Sequence, residues 1–127
     1  MTHYTEKYEC PRNTIETTLK LISKKWNLQI IHEMFFNKTK FNEFKENKPD
    51  LDNKTLSRSL KELQKNDIIE KRADFENNST EYYLTKKGRN LNKVIYEISV
   101  FAIDNDNKIP ENDKKLLKDK IKQHLNC

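Results

Sequence analysis

Cations recur at helical spacing between residues 53 and 66, and such side chains bind phosphate groups and the edges of bases. At about 100° per residue, four cations fall within an arc of about 60° around a helix axis, and three leucines fall within a similar arc almost opposite. The cations are Lys54, Arg58, Lys61 and Lys65, and the leucines are Leu56, Leu60 and Leu63. We predict an amphipathic helix over 53–66, capped by Asp52 or Asn53, with one face on a core and the other free for a polyanion.

Hydrogen-bonding side chains flank the basic face, so the helix carries the residue types that read DNA in the major groove. The predicted DNA-contacting residues of this helix are Lys54, Thr55, Ser57, Arg58, Lys61 and Lys65. Arg58 is the best base reader, because a guanidinium can donate two hydrogen bonds to guanine. Lys54 and Lys65 lie nearer the helix ends and are predicted to contact phosphate. The alternative is a surface helix whose polar face is only solvated.

The residues before the basic helix predict a partner helix at a tight turn, which favours DNA binding over the solvated alternative. A short helix is framed by Phe41 and Phe44 and ends before Pro49, because the residue preceding a proline is disfavoured in helices. The two helices make a helix-turn-helix over about 42–66. Asn42 is expected to cap the short helix, whose backbone N–H groups and dipole favour phosphate. The predicted phosphate contacts there are Lys40 and Asn42.

The residues after the basic helix predict a β-hairpin. β-forming residues occupy 68–74 and 80–84, and the Asn-rich sequence DFENNS lies between them. A hairpin directly after a recognition helix is the wing of a winged helix, here about 68–84. The wing cations predicted to contact DNA are Lys71 and Arg72.

The remaining apolar periodicity predicts helices on both sides of this unit. Residues 13–23 and 26–36 read as two helices, and Thr85 is expected to cap the next one within 86–125. Apolar residues cover that helix on nearly all sides, so it must be buried on several of them. One small domain is unable to cover it, which predicts a dimer interface at Leu91, Val94, Ile95, Ile98 and Phe101. A final helix begins at Pro110, with Leu116, Leu117, Ile121 and Leu125 as its apolar face.

Length and composition predict one domain over 1–127 with a modest core and a polar surface. The chain has 34% hydrophobic residues, 35% charged residues and a formal net charge of +5. A surplus of this size is compatible with a polyanion partner. The first ten residues are polar and no apolar run approaches the roughly 18 residues of a membrane span, so we expect a cytoplasmic protein without a membrane partner.

The chemistry-bearing residues predict neither an enzyme nor a cofactor site. His3, His32 and His124 lack metal-ligand spacing with cysteines or carboxylates, so no metal site is expected. Gly88 is the only glycine, which excludes glycine-rich phosphate loops, and it is expected to permit close packing at the start of its helix. No catalytic triad spacing is present.

Several of these features, in this order and spacing, resemble the HxlR family of winged helix-turn-helix transcriptional regulators, a MarR-like group. The matching motifs, which cover about residues 10–104, are Cys10-Pro11, Lys25-Trp26, Lys40-Phe41-Asn42-Glu43-Phe44, Leu56-Ser57, Leu60-Lys61-Glu62-Leu63, Glu81-Tyr82 and Leu84-Thr85-x-x-Gly88-Arg89. The resemblance implies a mainly α fold with a small β-hairpin wing (α+β) and dimerisation helices at about 13–23 and 86–125. It also implies a cytoplasmic, bacterial homodimer that binds a near-palindromic operator. The family wing often has an arginine shortly before the Glu-Tyr pair, where this chain has Asn77, Asn78 and Ser79.

The resemblance also implies a possible role for Cys10. In several relatives the cysteine of the Cys-Pro pair senses oxidants or electrophiles, and a reactive thiol needs partial exposure and nearby positive charge. The alternative is a cysteine packed inertly near the dimer interface. A small-molecule or oxidant effector is therefore expected but unidentified, and Cys127 is expected to be incidental. The runner-up function is a winged-helix protein–protein interaction module without sequence-specific DNA reading.

Overall fold

Helices dominate the structure, and one antiparallel hairpin interrupts them, as the sequence predicts. The computed structural model describes residues 12–127 of the chain. The elements are α1 (Arg12–Ile22), α2 (Asn27–Phe35), a 3₁₀ turn (Glu43–Lys45), α3 (Asn53–Lys65), β1 (Ile69–Asp74), β2 (Ser79–Leu84), α4 (Lys86–Arg89), α5 (Asn92–Asp104) and α6 (Glu111–His124). The mainly α fold with a two-stranded wing is confirmed.

The core lies behind α3 and is built from the leucine stripe that the sequence predicts. The stripe residues Leu56, Leu60 and Leu63 are at most 1% exposed. Phe44 of the 3₁₀ turn is completely buried, and its ring meets the Tyr82 ring edge-on at 6.2 Å between centroids. The apolar residues that surround them are Ile30, Ile31, Met34, Leu51, Ile68, Ile69 and Leu84. Burial of one face of α3 leaves its basic face outside.

The short helix predicted before α3 is a single 3₁₀ turn, and the prediction that Asn42 caps it is wrong. Asn42 stands at the cap position but its side chain makes no capping hydrogen bond. The carboxylate of Glu43 instead accepts hydrogen bonds from the backbone N–H groups of Thr39 and Lys40, at 3.2 and 2.9 Å. A glutamate reaching back to free N–H groups fulfils the role that Asn42 was expected to have.

The hairpin is in register from Ile69, opposite Leu84, to Asp74, opposite Ser79. The backbone before the 3₁₀ turn pairs briefly with β2. Lys40 forms an isolated antiparallel bridge with Glu81, and the Tyr82 N–H donates to the Thr39 carbonyl at 2.8 Å. The wing is therefore attached to the helix-turn-helix midway along β2.

Two turn residues, Asn90 and Leu91, interrupt the chain after the wing, so the single helix predicted from residue 86 onward is divided into α4 and α5. Thr85 caps α4, as predicted, by accepting from the Gly88 N–H at 3.0 Å. At the break, the Leu91 N–H donates to the Gly88 carbonyl at 3.1 Å. Such a bond to the third residue back is that of a 3₁₀ turn, which is tighter than an α-helical turn. Apolar periodicity alone does not show this break, because it continues through Leu91.

Helices α5 and α6 pack against each other and cover the other side of the core. Ile95 and Ile103 of α5 and Leu125 after α6 are buried within the protomer. Pro110 stands just before α6, as predicted, but the predicted apolar face of α6 is divided, because Leu116 and Leu117 are exposed. Within residues 12–127, no helix is long and apolar enough to cross a bilayer.

Candidate nucleic-acid interface

The basic face of α3 is open to solvent along its whole length. Lys54, Arg58, Lys61 and Lys65 are all exposed, while Thr55 and Ser57 are half-buried at its margin. The structure therefore brings together all six DNA-contacting residues that the sequence predicts on this helix. Cations on one face with hydroxyl groups beside them can bind phosphate and base edges at once.

A capping residue stabilises the first turn of α3, and the sequence offered two candidates for it, Asp52 and Asn53. Asp52 is the cap: its Oδ1 accepts from the Thr55 N–H at 2.7 Å. That hydrogen bond stabilises the charged carboxylate and lowers the pKa of Asp52. Asn53 has another role, because its Oδ1 accepts from the Lys45 ammonium of the 3₁₀ turn. The start of α3 is thus tied to the element before it.

A polar contact beside the basic face fixes the second half of α3 to the start of α2, and sequence reasoning missed it. Asn27 is 1% exposed, and its Nδ2 donates to the Leu21 carbonyl at 2.8 Å and to Glu62 Oε1 at 2.7 Å. Lys24 donates to the other oxygen of Glu62, and these hydrogen bonds lower the pKa of the Glu62 carboxyl. The available signal was a polar Asn27 on the otherwise apolar face of α2.

The two residues predicted at the start of the preceding element, Lys40 and Asn42, are both exposed. The predicted reason for phosphate binding there does not hold, however. The backbone N–H groups of Thr39 and Lys40 are occupied by the Glu43 carboxylate, and a turn of three residues has almost no dipole. Any contact with phosphate at this place must therefore come from the side chains.

The two wing cations project from opposite faces of the hairpin, because neighbouring residues of a strand alternate. Arg72 shares a face with Glu70 and Tyr83: its guanidinium lies over the Tyr83 ring at 4.2 Å and donates to the Glu70 carboxylate. Lys71 lies opposite Tyr82 in the register and is exposed. The two side chains therefore point to different sides of the wing.

The predicted dimer residues do not behave alike. Phe101 is 71% exposed and Ile98 48%, with Val94 also exposed, whereas Ile95 is 3% exposed and belongs to the core of the protomer. Leu91 is half-buried. Ile15 and Leu19 of α1, one helical turn apart, are about half exposed as well. The exposed apolar residues of α1 and α5 are thus left uncovered by the rest of residues 12–127.

The two cysteines and the histidines give no built chemical site in the described part of the chain. Cys10 lies outside the described residues, and Cys127 is a half-buried free thiol beside the core. Among residues 12–127, no group of three or more His, Cys, Asp or Glu side chains could hold a metal ion.

Comparison with known proteins gives one consistent family. The model for "HxlR-like helix-turn-helix" matches residues 21–123. The HTH-type transcriptional regulator YodB of Bacillus subtilis is 35% identical over 94 residues, which cover 73% of this chain and 82% of YodB. The reduced form of YodB superposes with a TM-score of 0.65 and 32% identity, covering 80% of this chain and 98% of that one.

Two further structures are of forms that have reacted or bound a compound. The redox regulator HypR in its oxidised form has a TM-score of 0.68 and 27% identity, covering 74% of this chain and 98% of that one. A quinone-bound form of YodB has a TM-score of 0.61 and 34% identity, covering 73% of this chain and 97% of that one.

Proposed function

This chain belongs to the HxlR-like helix-turn-helix family, and from that premise we propose that it binds a near-palindromic DNA operator as a homodimer, with α3 in the major groove. Members of this family are DNA-binding transcriptional regulators and not enzymes. This chain, too, is a transcriptional regulator. The proposed setting is the bacterial cytoplasm. The proposed contacts are Lys54, Thr55, Ser57, Arg58, Lys61 and Lys65 of α3, with the side chains of Lys40 and Asn42 beside them.

One observation carries this proposal: a helix whose apolar face is almost completely buried presents four exposed cations on the other face. The helix is also fixed at its start by Asp52 and toward its end by Glu62. A rigid element holds base-reading side chains in one register more effectively than a loop does. The fixed cation face is therefore suited to a regular polyanion such as duplex DNA.

The competing function, docking of a protein on the same face, is distinguished by salt. Each phosphate that the protein neutralises changes the slope of log K against log salt by about −0.9. We expect a slope of roughly −4 or steeper for the dimer on duplex DNA, since at least two cations per protomer should contact phosphate. A nearly flat dependence, measured by fluorescence anisotropy between low and physiological salt, would favour the protein-docking alternative.

Replacing Arg58 by alanine should weaken binding to the operator by about 1–3 kcal/mol, because a bidentate contact with guanine is lost. The discrimination between operator and random DNA should fall at the same time. Lys65→Ala is the matched control, since a phosphate contact near the helix end should weaken both DNAs equally. Equal losses on both DNAs for Arg58→Ala would show that Arg58 contacts phosphate instead.

We propose that the wing enters the minor groove through Lys71 rather than Arg72. Lys71 is exposed, and no carboxylate within residues 12–127 forms an ion pair with it. Arg72 is engaged by Glu70 and by the Tyr83 ring.

We propose the homodimer on the exposed apolar residues of α1 and α5. Residues 13–20 of α1 are all exposed, and an isolated helix of 11 residues is marginal in water. A second copy that covers Ile15, Leu19, Val94, Ile98 and Phe101 would supply the missing burial. At about 25 cal/mol per Å², coverage of such side chains contributes on the order of a kcal/mol each.

The proposed effector is an oxidant or electrophile, which the oxidised and quinone-bound relatives support, and we propose that it reacts with Cys10. Diamide should modify Cys10 before Cys127 and reduce operator affinity, because a thiolate is the reacting species and its adduct changes the residues that lead into α1. Cys10→Ser should remove the response and Cys127→Ser should retain it, in an anisotropy titration with and without diamide. The same response in wild type and Cys10→Ser would exclude this role.

A further inference from the structure

A small pocket lies between the start of α2 and one flank of α3. Its volume is about 220 Å³, and α2 contributes to it only through its first residue and those just before it. Lys25, Trp26 and Asn27 line it on one side, and Thr55, Ser59 and Glu62 line it on the other. The pocket therefore places a second helix beside the proposed DNA-contacting face.

The α3 side of this pocket faces sideways from the basic face. At about 100° per residue, Thr55 and Ser59 lie roughly 100° to 140° around the helix axis from Lys54. An α-helix with its side chains is about as wide as the major groove, so a helix that points one face at the base edges turns its flanks toward the phosphate strands. The hydroxyls of Thr55 and Ser59 thus face one strand when α3 occupies the groove as proposed.

The pocket has positive charge that the protein leaves uncompensated. Lys25 forms no ion pair within the described part of the chain, and its ammonium lies 4.9 Å from the centroid of the Trp26 ring. The ring attracts the ammonium without neutralising it. The carboxylate of Glu62 is already engaged by Lys24 and by the Asn27 amide. An anion that enters the pocket therefore meets a free cation.

The first turn of α2 brings backbone donors to the same place. Trp26 stands at the cap position, and no side chain caps the helix. Among the described residues, the N–H groups of Leu28 and Gln29 donate to no acceptor, and the Gln29 side chain folds back to the Lys25 carbonyl at 2.7 Å. Free N–H groups and the positive end of the helix dipole both favour an anion.

A buried oxygen without a donor is an independent sign of a ligand. Asn27 is 1% exposed, and its Oδ1 has no hydrogen-bond partner among the described residues. Reversing the amide would not satisfy it, because Nδ2 already donates to the Leu21 carbonyl and to Glu62. Buried oxygens are normally paired, so the donor must come from outside these residues. A water that donates to Oδ1 keeps its second O–H for a phosphate oxygen.

We propose that this pocket binds one backbone phosphate of duplex DNA per protomer, through Lys25, the first turn of α2 and the hydroxyls of Thr55 and Ser59. The inference rests on the proposed function, because it requires α3 in the major groove. It goes further by assigning Lys25 and α2 to the interface. A phosphate held on the flank of α3 fixes the rotation of the helix in the groove, and that rotation determines which base edge Arg58 reaches.

Salt dependence measures this contact separately from base reading. Phosphate contacts do not depend on sequence, so a random duplex of about 30 base pairs suffices for anisotropy titrations of the full-length protein. Lys25→Gln should weaken binding about tenfold at low salt and reduce the slope of log K against log salt by about 0.9 per protomer. Lys115→Gln is the control with the same loss of charge, since Lys115 is exposed on α6 and lies outside the pocket.

A second variant tests the N–H groups of α2. Gln29→Glu places a carboxylate beside these donors, so it should stabilise the helix start and repel the phosphate. We expect a melting temperature no lower than that of wild type, together with DNA binding weakened about tenfold. Gln123→Glu adds the same charge at an exposed site on α6, outside the pocket, and should weaken binding by no more than about twofold.

The outcomes distinguish this contact from the proposed function. A steep salt slope in wild type that is unchanged in Lys25→Gln would overturn the phosphate site and leave the proposed function standing. Equal losses in Lys25→Gln and Lys115→Gln would also overturn it, by showing attraction to net charge alone. Equal losses in the two glutamate variants would exclude the first turn of α2. A flat slope in wild type would contradict the proposed function itself, and this site with it.

Discussion

Replacing Gly88 by alanine should lower the free energy of unfolding by about 3 kcal/mol, at the upper end of the usual cost of overpacking. A Cβ at this position would lie 2.1 Å from the carbonyl oxygen of Ile68 and 3.1 Å from Leu84 Cδ2. The Ile68 carbonyl cannot move away easily, because it accepts from the Thr85 N–H at 3.0 Å and the Thr85 hydroxyl donates to the adjacent Asp67 carbonyl at 2.6 Å. Alanine would therefore break the junction between the wing and α4.

Thermal unfolding at one fixed protein concentration measures this effect, since the melting temperature of a dimer depends on concentration. We expect the melting temperature to fall by roughly 10 °C. Lys86→Ala is the matched control, because Lys86 lies on the same helix and is exposed. A change of less than 1 kcal/mol in Gly88→Ala would mean that the backbone at Ile68 can relax and that glycine is not required.

The parts of the fold that were predictable are those with regular periodicity. Helix α3 has leucines on one face and cations on the other. Its bounds were therefore predicted to within a residue, and its buried side was predicted correctly. The hairpin was predicted by its β-forming residues and its Asn-rich turn. In both elements, each residue contributes to a repeated local pattern, so several positions point to the same structure.

The parts that were missed depend on single hydrogen bonds or on distant partners. The 3₁₀ turn depends on Glu43 reaching back to two N–H groups, and the break before α5 on one bond from Leu91 to Gly88. The contact of Asn27 with Glu62 joins residues 35 positions apart. Hydrophobic periodicity contains no information about such pairings.

For α5, the sequence predicted part of the packing. The sequence showed apolar residues on nearly all sides of this helix, but not which of them face the protomer's own core. The structure places Ile95 and Ile103 inside and leaves Ile98 and Phe101 outside. The exposed pair lies on neighbouring turns of one face, which makes it the most direct target for a test of the proposed dimer.

Replacing Ile98 and Phe101 together by aspartate should convert the proposed dimer to a monomer. Burying two unpaired carboxylates in an apolar interface is far more costly than leaving them in water. The protomer should remain folded, because both side chains are already exposed and substitutions at such sites usually change stability by about 0.5 kcal/mol or less. Sedimentation velocity at micromolar concentration measures the assembly state, and circular dichroism measures the fold.

Loss of the dimer should weaken operator binding by about 10²–10⁴-fold, because two linked reading helices gain this much from effective concentration. The affinity of a single protomer for one half-site should remain, with a salt slope about half as steep. Lys93→Gln is the control on α5, since Lys93 is exposed and lies on the other side of that helix from Ile98. A folded double variant that still sediments as a dimer would place the interface elsewhere, whereas a monomer that binds the operator at full strength would show that each protomer reads DNA independently.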